Sequence, residues 1–82
     1  MTKAKFLALV AQGSACRMQV SSAPIVWQMP YVELLSKTPF PGAVGWRHRR
    51  IICQARTRKA ADLKAAKYQK WLDEYYAREK QS

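Results

Sequence analysis

Residues 47–59 read RHRRIICQARTRK: six Lys or Arg and His48 among thirteen residues, with no carboxylate to offset them. Like charges this dense repel one another and persist where an anionic surface compensates them, and phosphate is the commonest dense anion in a cell. The run also opens a stretch, 46–78, that contains no proline or glycine and is rich in Ala, Lys, Arg and Gln. That composition favours helix. The expectation is one C-terminal helix of roughly thirty residues, about 45 Å long.

At ~100° per residue, Ala61, Ala65, Tyr68, Leu72, Tyr75 and Tyr76 fall in one sector of that helix. Arg49, Arg56, Lys59, Lys67, Lys70 and Arg78 fall in the opposite one. The apolar stripe stops at the basic run, where its sector holds Arg47, Arg50, Gln54 and Arg58. The helix is therefore expected to be basic nearly all round in its first half and amphipathic in its second. Arg58 with Asp62, Lys70 with Glu74 and Glu74 with Arg78 have the spacing of surface ion pairs.

Working outward, residues 21–45 contain all four prolines, Pro24, Pro30, Pro39 and Pro41, which remove backbone donors and limit regular structure. A turn or two of helix after Pro30 is the most that is expected there. Yet Ile25, Val26, Trp27, Met29, Tyr31, Val32, Leu34, Leu35 and Phe40 make the segment too apolar for a solvated linker. It reads as an extended arm laid on a neighbouring protein. Near the start, Thr2 is placed to cap a helix that runs to Gln12, with Gly13 as its stop. The competing reading is a hairpin of residues 6–10 with residues 17–20, turning at Gln12-Gly13-Ser14. The organisation expected is thus a short N-terminal element (1–20), an apolar arm (21–45) and a long C-terminal helix (46–82), an all-α and largely non-globular chain.

The whole chain of 82 residues has a formal charge of +10. Residues 1–45 contribute Lys3, Lys5, Arg17 and Lys37 against Glu33 alone, so most of the charge lies beyond residue 46. Residues 1–32 contain no acid, a composition compatible with an organelle-targeting segment that is retained. The longest apolar segments fall far short of the ~18–20 residues that span a bilayer.

Enzymatic chemistry is not expected. Cys16, Cys53 and His48 supply no close-spaced metal pair and read as lone thiols and a lone imidazole, and Gly42 and Gly45 lack the rest of a phosphate-loop signature. No cofactor or metal is expected. The candidate RNA-phosphate ligands are Arg47, His48, Arg49, Arg50, Arg56, Arg58 and Lys59, because the guanidinium fork suits phosphate oxygens. Trp46 is a candidate for stacking on a base. Ile25, Trp27, Met29, Tyr31, Leu34, Phe40, Tyr68, Leu72 and Tyr75 are candidates for contact with protein neighbours. These features fit a non-catalytic small subunit of a ribonucleoprotein, with the mitochondrial ribosome, on the matrix side, as the expected setting and rRNA as partner. The alternative is a non-catalytic accessory subunit of a mitochondrial inner-membrane complex, a respiratory complex or ATP synthase, with the basic helix on anionic lipid or acidic protein.

Overall fold

The residues expected to begin the long helix form a strand instead. In a computed structural model, which describes residues 1–22, 29–42 and 47–81, the chain runs α1 (Lys3–Gln12), β1 (Arg17–Ser22), β2 (Pro30–Leu35), β3 (Arg49–Gln54) and α2 (Arg58–Gln81). The three strands form one antiparallel sheet in the order β1-β2-β3. The chain is therefore mixed α and β, which corrects the all-α, non-globular expectation.

Two local preferences explain the correction. Arg49–Gln54 holds Ile51, Ile52 and Cys53, residues that lose rotamer freedom in a helix and suit a pleated surface. In a strand the neighbouring cations Arg49 and Arg50 also point to opposite faces. Thr57 then starts α2 within the basic run, its side chain accepting from Ala60 N–H at 3.1 Å and its carbonyl from Ala61 N–H at 3.0 Å. Similarly, Pro30 begins a strand rather than a helix, a position where its missing donor is tolerated. The described part of the supposed arm supplies the central strand of the sheet.

The N-terminal helix forms where the sequence places it. Thr2 accepts from Lys5 N–H at 3.3 Å, and Gly13 N–H reaches Val10 O at 3.1 Å. Phe6 and Val10, one turn apart, are its buried residues. Gly13 is needed for space rather than for handedness, since its φ is −108°. A Cβ there would stand 2.5 Å from Ser36 Oγ. The left-handed backbone falls two residues later, at Ala15 (φ 46°), where the chain turns into β1.

Alternation along the strands sorts their side chains. Met18 and Val20 pair with Leu34 and Val32, and this face packs on the helices. The core it shares contains Phe6, Val10, Cys16, Phe40, Ala55, Ala61, Tyr68 and Leu72. Phe6 lies 5.1 Å from Tyr68 and 5.8 Å from Trp71, and those two rings meet edge-on at 5.3 Å. The stripe from Ala61 to Tyr76 is thus a packing face, and what it packs on is this chain's own sheet and first helix. The opposite face of the sheet carries Arg17, Gln19, Ser21, Tyr31, Glu33, Leu35, Arg49 and Ile51. A bulge at the Val32/Glu33 step, where Ile52 is the extra residue of β3, moves Cys53 opposite Val32 and so onto the helix side.

No helix among the described residues is long and apolar enough to cross a membrane.

Candidate nucleic-acid interface

The basic run does not stay together. β3 carries its charges to two ends of the sheet, about 17–20 Å apart for six extended residues. At the first end are Arg47 and His48, exposed in the preceding turn, and Arg49 and Arg50 at the start of the strand. At the second end are Arg56, Arg58 and Lys59, all exposed, around the first turn of α2.

At the first end, pairing adds residues that the sequence reading omits. Arg17 and Arg49 both pair with Leu35, one from each side, so their backbones stand about 10 Å apart on one face. With Ala15, Ser36, Lys37 and His48 they line a recess of about 350 Å³. Among the described residues lining it, none is acidic. Arg17 and Lys37 lie thirty and ten residues from the basic run, and only strand register reveals that they belong with it.

Ser36 fixes the walls of this recess to one another. Its hydroxyl accepts from Ser14 N–H at 2.9 Å and Thr38 N–H at 3.2 Å. Its N–H donates to His48 O at 2.9 Å, and Lys37 N–H donates to Ser14 O at 2.9 Å. His48 Nδ1 lies 3.2 Å from Ser36 O, a pure acceptor, so Nδ1 carries the hydrogen.

Behind the recess sits Glu33, the one acid before Asp62 in the sequence and completely buried. Its Oε1 accepts from Ser21 Oγ at 2.8 Å and Gln19 Nε2 at 3.1 Å. Its Oε2 faces Arg49 Nη1 at 3.6 Å, close enough for attraction between charges and too long for a hydrogen bond. This pair is one of the contacts of the Arg49 side chain. Arg50, on the other face, lays its guanidinium 4.9 Å from the Phe40 ring centre and closes the margin of the core.

At the second end, electrostatics within the chain works against the cations. A helix N-terminus is positive, and α2 has no acid in its first turn. Arg58 finds Asp62 at 3.1 Å, an exposed pair of the spacing foreseen from the sequence. Glu74, by contrast, pairs with Lys3 of α1 at 3.1 Å, which holds its carboxyl below the usual range.

Of the residues expected to face protein neighbours, several are packed within the chain itself. Leu34, Phe40, Tyr68 and Leu72 are buried in the chain's own core, with Tyr75 packed at its edge. Tyr31 is nearly buried and Met29 half-buried. Ile25, Trp27 and Trp46 lie outside the described residues. Cys16 and Cys53 are free thiols, and the described residues contain no group of three metal-ligating side chains. Comparison of the chain with protein-family models, with curated proteins and with solved structures gives no match, so the interface is read from its own chemistry.

Proposed function

We infer that this chain is a non-catalytic RNA-binding component of a ribonucleoprotein, contacting RNA phosphates from both ends of its sheet. One observation carries the reading: Arg56, Arg58 and Lys59 are stationed at the positive pole of α2, repelled by the helix dipole and by one another, with Arg58 also in an exposed pair with Asp62. An external polyanion reverses the sign of both terms, since helix N-terminal amides and arginine forks are each suited to phosphate oxygens. The basic recess at the other end of β3 supports the same partner.

Contacts of this type read phosphate position and shape rather than base sequence. The mitochondrial ribosome is the setting the acid-free start of the chain favours. That start includes α1, whose Phe6 and Val10 belong to the core. Processing that removed α1 would open the core, so the mature protein is expected to retain it.

The test is RNA affinity as a function of salt. The wild-type chain should lose affinity steeply with salt, with log K against log [salt] changing by about 0.7–0.9 per phosphate contact. The triple variant R56Q/R58Q/K59Q should have a slope shallower by about two to three such increments. Affinity without salt dependence, or a slope that the triple variant leaves unchanged, would remove RNA phosphate as the partner of these residues.

A further inference from the structure

We propose that the recess between the start of β1, the end of β2 and the start of β3 is a pocket for a terminal phosphate monoester of RNA, which it prefers to the internal phosphodiester. This rests on the reading of RNA as the partner and adds which phosphate the recess takes.

Three observations point to a monoester. The first is shape. Residues from three separate segments, 15–17, 35–37 and 48–49, close around one space of about 350 Å³. That is the small end of the range for pockets that hold a discrete ligand, ~300–1,000 Å³. A terminal nucleotide can enter such a space by its end. An internal phosphate must bring a nucleotide on each side.

The second is charge. Arg17, Lys37 and Arg49 surround the space with His48 beside them. A phosphodiester carries a single negative charge, whereas a monoester carries about −1.5 to −2 at neutral pH and offers three strong acceptor oxygens. The Arg17 fork and the Lys37 ammonium, beside an Arg49 guanidinium whose Nη1 already faces Glu33, together offer more donors than a diester's two non-bridging oxygens can use. The third oxygen of a monoester occupies the remainder.

The third is preorganisation. Ser36 ties the segment of Arg17 to that of Lys37 and to that of His48 through hydrogen bonds of 2.9–3.2 Å. Glu33 attracts Arg49 at 3.6 Å. Leu35 and Ala15 provide an apolar wall against which the carbon face of a terminal sugar can rest. The backbone segments that carry the cations are therefore already held together before the anion arrives, which limits the ordering cost of binding to the side chains themselves.

The experiment uses the full chain and three single-stranded RNAs of identical sequence, with a 5′-phosphate, a 3′-phosphate or hydroxyls at both ends, compared by fluorescence anisotropy at fixed ionic strength. At least one phosphorylated RNA should bind about tenfold more tightly than the RNA ending in hydroxyls, the equivalent of one additional charge-assisted contact. Which end gains identifies the polarity of entry. In R17Q and K37Q, two exposed positions, that advantage should fall to less than threefold while the residual salt-dependent affinity persists. Equal binding of all three RNAs would overturn the monoester pocket and leave the RNA reading standing. A terminal-phosphate preference that survives both substitutions would overturn the assignment to this recess. Binding of none of the RNAs would overturn both readings.

Discussion

The two faces of the sheet are made by the same three strands and obey different physical demands. On the helix side, Met18, Val20, Val32 and Leu34 meet Phe6, Tyr68 and Leu72 in an apolar core. On the other side, Gln19, Ser21 and Arg49 surround the completely buried carboxylate of Glu33, and Arg17 and Arg49 end the face in a cationic recess. A one-residue slip in register would exchange these sets, so the pairing that places the core also places the cations. The helix-side face holds the chain together. The opposite face positions charge. Substitutions on the first should therefore cost stability, and substitutions at the recess should cost binding while leaving stability nearly intact.

The largest effect is expected at the centre of the aromatic cluster. Phe6→Ala removes a completely buried ring that touches Tyr68 and Trp71, and should cost about 3–5 kcal/mol in urea unfolding. For a domain of this size that approaches the whole stability. A loss below about 1 kcal/mol would mean that α1 is not part of the core.

Next comes Glu33, which separates the two faces most sharply because it is as buried as Phe6 and yet belongs to the polar side. Glu33→Ala strands the Gln19 and Ser21 donors and should cost about 1–3 kcal/mol. If the variant is instead more stable, the carboxylate is a burden maintained for the recess rather than a support of the sheet. Gly13→Ala should be comparable, at about 1–3 kcal/mol, because the new methyl must displace Ser36. Since Ser36 also frames the recess, this variant should weaken RNA binding, which calorimetry and anisotropy on the same sample would check.

Tyr76 offers a smaller, pH-resolved test of the helix-side face. Its hydroxyl oxygen accepts from Cys16 N–H at 2.7 Å, where α2 meets the start of β1. Burial pushes the phenol up to about 12, and it outweighs the Cys16 N–H, which pulls the other way. The unfolded chain, with an ordinary tyrosine near 10, gives up this proton first. The native state thus holds more protons between about 10 and 12, and the stability contributed by neutral Tyr76 is complete below that window and lost as pH rises through it. Tyr76→Phe should remove the latest-titrating phenol from an alkaline absorbance titration and cost about 0.5–1.5 kcal/mol at neutral pH. The smallest effect on stability belongs to Arg17→Gln and Lys37→Gln, within about 0.5 kcal/mol, at exposed positions whose proposed role is binding.

The sequence displays the helices better than the sheet, and the reasons differ by element. Thr2, Gly13 and the spacing of Ala61, Tyr68 and Leu72 act locally, so α1 and the packing face of α2 are legible before any contact is known. β3 is misread because the absence of proline and glycine from 46–78 is a weak signal of helical continuity. The stronger signals were Ile51-Ile52-Cys53 for a strand and Thr57 for a fresh helix start. β2 is misread because Pro30 suits the first residue of either element, and its neighbours Tyr31 and Val32 decide for strand. Of the interface, the run supplied Arg47, His48 and Arg49 at one end and Arg56, Arg58 and Lys59 at the other. Arg17 and Lys37 join the first end through strand register, a long-range property that a local reading lacks. Glu33 did carry a signal: a solitary acid in an apolar, acid-free half of the chain needs a cation nearby, and Arg49 is that cation.

If RNA is the partner, one polyanion spans both ends of β3 and spares the long exposed flank of α2. Amide chemical-shift mapping of the full chain during titration with single-stranded RNA tests it most directly. The largest changes should fall at Ala15, Arg17, Lys37, His48 and Arg49 and at Arg56, Arg58 and Lys59, with little change from Lys67 onward. Changes concentrated at Lys67, Lys70, Arg78 and Lys80, with the recess silent, would contradict it.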